Sequence, residues 1–230
     1  MRRNALRSAA HPLLCFPSLQ RVNLKSSSCE GTRLPRSFFN RPALSVAPEL
    51  LGLHLVRNER GVLRVGRIVE TEAYMGPEDL AAHSAGGRRT HRTEVMFGPP
   101  GHAYVYFIYG FWNCLNVVTS RVGVPHAVLL RALEPLAGIE HGTWGPGLLC
   151  RSMGIDRSLN GADLRGDVLW LARPPRRAGR ALRIAAAPRI GVDYAGEWAR
   201  RPWRFFDRDS AYVSTLSPAA RRRAGALISR

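Results

Sequence analysis

VETEAYMGPEDLAAHS, residues Val69 to Ser84, carries an apolar strand into a Gly-Pro turn and a polar loop. Side chains alternate between the two faces of a strand, so Glu70, Glu72 and Tyr74 share one face, while the residues between them form a largely apolar face. A carboxylate at a strand end, beside a loop, is well placed to meet a ligand and, if partly desolvated, to act as a general base. The alternative, which the spacing alone favours, is a solvated carboxylate paired with an arginine.

The sequence around this stretch predicts a strand-rich domain with a few short helices. VLRVGRIVETEAY (62–74) and VPHAVLLRALEPL (124–136) are typical of strands, and GPGLLCRSMGI (145–155) predicts a short helix entered through Gly-Pro. HAYVYFI and FWNCLNVVTS are two further strand patterns, and Tyr109-Gly110 between them indicates a β-hairpin turn with positive φ at the glycine. The polar loop 76–93 predicts one helical turn near residues 78–83. We therefore expect an α+β fold.

Composition divides the chain into three parts. Residues 1–37 contain seven basic residues and one acidic residue and lack a periodic apolar pattern, so we predict a disordered basic arm. A transit peptide or an incorrectly assigned start codon would give the same composition. Residues 38–215 form the predicted folded domain, and 216–230 a basic tail.

The formal net charge of +17 favours a nucleic-acid partner. All basic residues except Lys25 are arginines, whose planar guanidinium groups suit phosphate oxygens, although an arginine-rich composition has other origins. The four cysteines show no metal-binding spacing, so we expect no metal and no cofactor. The cysteines indicate no disulfide framework either, which fits a reducing intracellular compartment. No apolar run is long enough to cross a bilayer, so we expect no membrane association.

Aromatic residues near the predicted hairpin are candidates for binding a planar ring. Tyr109 at the tip is a candidate wedge that fills the space left by a nucleotide rotated out of a duplex. The alternative is that Tyr109 packs back onto the sheet. Tyr104 and Tyr106, together with Tyr74, could form aromatic walls for a planar ring, or they could be ordinary cross-strand packing. His83 in the loop could position or protonate a substrate, or could be a surface histidine.

Two polar residues interrupt apolar strands, and both need partners. Asn116 in CLNVV could read a base edge or could brace a neighbouring loop. Arg131 in AVLLRALEP requires a carboxylate or phosphate partner, and an internal one such as Glu134 or Glu72 is the simpler account.

The position of the single lysine bears on the chemistry of any base excision. Lys25 lies in the predicted arm, so no lysine amine is available in the folded domain to form a Schiff base with a sugar. If the protein excises a base, an activated water must be the nucleophile.

From about Arg41 to Ser214 the chain resembles the alkyladenine (3-methyladenine) DNA glycosylases. The resemblance implies a compact domain with a curved antiparallel sheet, flanking short helices and a protruding hairpin that enters the minor groove. The blocks that carry it are VETEAYMGPEDLAAHS (69–84), MFGPPGHAYVYFIYG (96–110), CLN (114–116), LLRALEPL (129–136) and GVDYAGEWARRPWRF (191–205).

The resemblance also implies roles for single residues. Glu72 would deprotonate the water that attacks C1′, and Arg131 would help to hold water or backbone near that carboxylate. Asn116 would exclude guanine by a clash with its exocyclic amine, and Tyr109 would intercalate. Tyr74, His83 and Tyr106 would enclose the damaged base.

The implied activity is monofunctional excision of alkylated or deaminated purines from double-stranded DNA. The implied substrates are 3-methyladenine, 7-methylguanine, hypoxanthine and ethenoadenine, and we expect a monomer located with DNA. One departure from the family is Leu148, where the family usually has a lysine. The alternatives from other classes are a non-catalytic protein that binds damaged DNA or its shape, and an RNA-binding protein.

Overall fold

A computed structural model describes residues 31–175 and 181–215. The helices are α1 (Arg36–Phe39), α2 (Ala43–Glu49), α3 (Pro146–Met153) and α4 (Glu197–Arg200). The strands are β1 (Thr32–Arg33), β2 (His54–Glu59), β3 (Val62–Tyr74), β4 (Ala103–Ile108), β5 (Trp112–Thr119), β6 (His126–Ala137), β7 (Leu169–Arg173), β8 (Ile184–Ala187) and β9 (Arg204–Asp207).

Within the described residues, nine strands form one curved antiparallel sheet in the order β1-β7-β2-β3-β6-β5-β4, and β9 pairs with both β3 and β8. Strand β3 changes its neighbour along one edge, because β2 pairs with it up to Arg67 and β9 pairs with it from Glu70 to Glu72. β6 follows the other edge, with register shifts on both sides of Glu70. The predicted α+β fold in a single compact domain is confirmed.

Helix α2 covers the apolar core of the sheet. Ala43, Val46, Ala47 and Leu50 follow the spacing of one helical face, and all four are fully buried. The Thr71 hydroxyl of β3 donates a hydrogen bond to the Ala47 carbonyl oxygen at 2.9 Å. This packing fixes the strand that carries the two candidate carboxylates.

The predicted hairpin is present and consists of β4 and β5. Ile108 pairs with Trp112, so three residues form the turn. Tyr109 has a φ of 53° and Gly110 has a φ of 75°. The tyrosine therefore also adopts the left-handed conformation that was predicted for the glycine alone. The two positive φ angles together turn the chain at the hairpin tip.

Two predictions about local order need correction. The predicted arm extends too far, because β1 pairs with β7 and Leu34 is buried before residue 38; a two-residue strand gives too little alternation to be recognised. The single helical turn predicted near 78–83 is wrong. Asp79 accepts hydrogen bonds from the backbone N–H groups of Met75 and Ala81, and short 3-10 turns lie on either side instead. Residues 1–30 and the predicted tail, 216–230, lie outside the described residues.

Candidate active site

A cavity of about 560 Å³ opens between the hairpin, the loop that follows β3, and the segment 190–194. Its volume lies within the range of small-molecule sites. All the predicted site residues except Glu72 line it: Tyr74, His83, Tyr106, Tyr109, Asn116 and Arg131. The structure therefore brings together residues from four strands, a loop and a hairpin tip.

Glu72 lies directly behind the cavity wall and is fully buried. Its Oε2 accepts a hydrogen bond from the Tyr74 hydroxyl at 2.9 Å, and its Oε1 accepts one from the backbone N–H of Ile190 at 2.8 Å. Arg131 Nη1 lies 3.2 Å from the same Oε1. All three partners line the cavity, so the carboxylate is one side chain away from it. The expectation of a solvated carboxylate is wrong, although its pairing with an arginine is correct.

Arg131 bridges the two glutamates of β3. Its Nε donates to Glu70 Oε1 at 3.2 Å, in addition to the Glu72 contact. Burial alone would lower the pKa of Arg131, but Glu72 and Glu70 outweigh burial and raise it. Of the two internal partners expected for Arg131, Glu72 is confirmed and Glu134 is wrong, because Glu134 pairs with Arg67.

An aromatic wall faces the cavity from the loop and from β4. The His83 ring lies edge-on to Tyr106, with 4.5 Å between ring centroids, and His83 Nδ1 is 2.9 Å from the Tyr104 hydroxyl. Burial, and then the positive charges of Arg92 and Arg88, lower the pKa of His83 to about 4. The imidazole is therefore neutral at neutral pH, and it is not a surface histidine.

Asn116 makes a structural contact between two strands and also faces the cavity. The side chain is buried, and its Nδ2 donates to the Tyr104 carbonyl oxygen at 3.3 Å, which braces β4 against β5. The same side chain lines the cavity. A structural contact therefore fixes the orientation of an amide that a ligand would meet.

Tyr109 stands away from the sheet, with 78% of its surface exposed. Phe111, two residues along the turn, is 66% exposed. The alternative in which Tyr109 packs back onto the sheet is wrong. Large aromatic side chains exposed at a hairpin tip indicate a surface that another molecule covers.

The segment 189–194 carries site residues that sequence analysis missed. The N–H of Ile190 binds Glu72, and a backbone group gives no signal in a sequence. Tyr194 also lines the cavity, and its hydroxyl donates to the Ala81 carbonyl oxygen at 3.2 Å.

Cys114 of β5 lies in the cavity wall as well, and burial raises the pKa of its thiol to about 11. Arg189 and Asp79 form a fully buried ion pair beneath this wall.

Residues 31–175 and 181–215 hold no group of three or more His, Cys, Asp or Glu side chains arranged to bind a metal ion. Within the same ranges, none of the helices has the length and apolar character needed to span a bilayer.

Comparison with known proteins gives the family. The family model of methylpurine-DNA glycosylases matches residues 37–211. A relative from Myxococcus xanthus (strain DK1622) is 54% identical over 192 residues, which is 83% of this chain and 97% of the relative. A relative from Bacillus cereus (strain G9842) is 48% identical over 200 residues, 78% of this chain and 98% of its own length. Both are named, provisionally, as 3-methyladenine DNA glycosylases.

A buried carboxylate behind a cleft of about 560 Å³, with an exposed aromatic hairpin beside it, suits an enzyme that acts on a base removed from a duplex. The chain belongs to the methylpurine-DNA glycosylase family and is a DNA glycosylase.

Proposed function

We propose that the protein is a monofunctional glycosylase that flips an alkylated or deaminated purine out of duplex DNA and hydrolyses its N-glycosidic bond with water. This reaction initiates base excision repair. The substrates are 3-methyladenine, which the names of the relatives specify, and also 7-methylguanine, hypoxanthine and ethenoadenine. We expect the enzyme to act as a monomer and to be located with DNA inside the cell.

The observation that carries this proposal is the position of Glu72. The carboxylate is fully buried, and the groups that bind its two oxygens also line the cleft. A water that replaces one of these contacts would meet both the carboxylate and the sugar of a nucleotide in the cleft. Glu72 would then accept the proton of the water as it attacks C1′.

Arg131 supports the reaction by fixing the carboxylate and by balancing its charge. It contacts both Glu70 and Glu72, which would otherwise be two like charges buried on one strand. Its guanidinium also lines the cleft, so it can hold the attacking water. The proton acceptor, Glu72, and the cation that balances its charge, Arg131, therefore come from neighbouring strands of one sheet.

The base would lie between Tyr74, His83 and Tyr106, with Asn116 at the bottom of the pocket. The aromatic rings stack on or enclose a planar purine, and the fixed Asn116 amide clashes with the exocyclic amine of guanine. Tyr109 would fill the gap in the duplex, offsetting an unstacking cost of a few kcal/mol.

The protonation states in the cleft favour cationic substrates. His83, with a pKa of about 4, and Cys114, with a pKa of about 11, are poor proton donors at neutral pH. A base that is already positively charged, such as 3-methyladenine, leaves without protonation, whereas neutral hypoxanthine needs a proton. We expect slower release of hypoxanthine.

The nucleophile would be water rather than an amine. Lys25 is the single lysine of the chain and lies outside the described residues. A Schiff-base mechanism needs a lysine or another amine at C1′. Borohydride trapping during turnover should therefore give no covalent protein–DNA product.

The test measures free base released from duplexes that contain each of the four lesions. Glu72→Gln should slow single-turnover release by about a hundredfold or more, while it still binds the lesion duplex. Full activity of this variant would reject the role of Glu72. Lesion binding by the wild-type protein without any base release would instead support a non-catalytic damage-binding protein, and preferential competition by A-form RNA would support an RNA-binding protein.

A further inference from the structure

Arg189 and Asp79 form a fully enclosed ion pair beneath the cleft wall. Both side chains have zero exposure. Arg189 Nη1 donates to Asp79 Oδ2 at 2.5 Å, and Nη2 donates to Oδ1 at 2.8 Å, so the pairing is bidentate. Neither residue lines the cavity.

Arg189 lies next to both uncharged groups that donate hydrogen bonds to the Glu72 carboxylate. Its guanidinium lies over the Tyr74 ring, with 4.7 Å to the centroid, and Tyr74 binds Glu72 Oε2. The residue after Arg189 is Ile190, whose N–H binds Glu72 Oε1. Nη1 also donates to the Ala73 carbonyl oxygen at 3.0 Å, one residue from Glu72.

Asp79, the partner of Arg189, also contacts the backbone of the loop that carries His83. Its two oxygens accept hydrogen bonds from the N–H groups of Met75 and Ala81. These contacts fold residues 75–81 into the turn that precedes His83. Ala81 in turn accepts the hydrogen bond from Tyr194 across the cleft.

We propose that Arg189 and Asp79 are positioning residues that hold the Glu72 carboxylate and the base-binding loop in one fixed relation. The ion pair acts through Ile190, Tyr74 and the loop backbone, because it does not touch the cavity. The proposal rests on the proposed function. A small displacement of a reacting group can cost about a hundredfold in rate, so this arrangement affects the chemical step more than substrate binding.

The test removes the two charges together, because a single substitution leaves the other charge buried and unpaired. Arg189→Met with Asp79→Asn removes both charges with small changes in side-chain volume, and the asparagine retains one carbonyl oxygen to accept a hydrogen bond from a loop N–H group. The matched control is Arg67→Met with Glu134→Gln. That ion pair is also largely buried and joins β3 to β6, but neither residue lines the cleft.

Two quantities are measured for each protein: the single-turnover rate of ethenoadenine release, and Kd for a duplex with a stable abasic-site analogue. The cleft-pair variant should lose about tenfold to a hundredfold in rate, with Kd changed by less than about threefold. The control should keep a rate within about twofold of wild type. An unchanged rate in a folded cleft-pair variant, or equal losses in both double variants, would overturn the proposal.

Arg189→Lys provides a second test if the double variant does not fold. Lysine retains the charge beside Asp79, but it cannot reproduce the planar, bidentate pairing or the stacking on Tyr74. We expect a loss of about tenfold in rate with Tm near that of wild type, and a wild-type rate would overturn the proposal. Failure of the wild-type protein to release any base would instead overturn the proposed function, and the positioning proposal with it.

Discussion

The carboxylate cluster and the hairpin tip lie on two sides of the same cleft and are built in opposite ways. The carboxylate cluster consists of Glu70, Glu72, Arg131 and Arg204, which are all buried and mutually paired. The hairpin tip consists of residues 107–111 and exposes its aromatic rings to solvent. The cluster is complete within the protein, whereas the tip has apolar surface that remains uncovered.

This difference separates two requirements of excision. A group that activates water must be held in one orientation, and buried ion pairs with several hydrogen bonds provide that. A group that enters a duplex must be accessible, so its burial occurs only in the complex. Substitutions in the cluster should therefore change stability and rate, and substitutions at the tip should change DNA affinity alone.

The largest effect is expected for Glu70→Gln. Glu70 accepts hydrogen bonds from Arg131, Arg204 and Ser214. Loss of its charge removes the carboxylate that pairs with the buried Arg204 and leaves Arg131 paired with Glu72 alone. We expect the free energy of unfolding to fall by about 3 kcal/mol, measured by urea denaturation. Glu49→Gln, which breaks a more exposed pair with Arg41, is the control and should leave stability nearly unchanged. Similar losses in the two variants would contradict the importance of burial.

Tyr109→Ser, at the hairpin tip, should weaken DNA binding and leave the stability of the protein nearly unchanged. The side chain is exposed, so the free energy of unfolding should change little, but Kd for a lesion duplex should rise by about tenfold or more, as for loss of one stacking aromatic. Fluorescence anisotropy with a lesion duplex measures the change. Val168→Ser, at an exposed apolar site that does not line the cleft, is the control. An unchanged Kd for Tyr109→Ser would count against the wedge.

His83 belongs to the cleft wall and links stability to pH. The unfolded chain binds a proton at His83 below about pH 6.5, whereas the folded protein does so only near pH 4. Stability contributed by neutral His83 is therefore lost as pH falls from 6.5 to 4, by up to about 1.4 kcal/mol per pH unit. His83→Gln should reduce this slope in denaturation experiments between pH 7 and pH 4. Equal slopes would show that the imidazole is not kept neutral by its surroundings.

The smallest effect is expected at the N-terminal end of α3. Leu148 is half-buried beside Pro146, which lines the cleft, and the resemblance places a lysine at this position in the family. Leu148→Lys should strengthen duplex binding and increase the slope of log Kd against log salt concentration by about one. Titration at several salt concentrations measures both, and an unchanged slope would mean that the added charge does not reach a phosphate.

Much of the fold could be predicted because its signals are local. Alternation along β3 and β6, and the Tyr-Gly turn between β4 and β5, predict the strands that carry most site residues. The roles of Glu72 and Asn116, by contrast, came from the resemblance, because spacing alone favoured a solvated carboxylate and left the amide undecided. The sequence does not show how deeply a residue is buried.

Other parts of the site depend on contacts that local patterns do not contain. Ile190 acts through its backbone, and Arg189 meets Asp79 across more than 100 residues of sequence. Arg131 was correctly expected to need an internal acid, but its choice of Glu70 over Glu134 follows from the register of β3 and β6. Such partners can be identified only from the three-dimensional arrangement of the strands.

The change of neighbour along β3 has a consequence for local opening. At Glu72 the strand is flanked by Leu129 on one edge and by Arg204 on the other. Amide protons in this triple-stranded segment should exchange with deuterium only when the whole domain unfolds, whereas those at residues 109–111 should exchange through local fraying. Glu72, the proposed general base, would then lie in the slowest-exchanging part of the described residues.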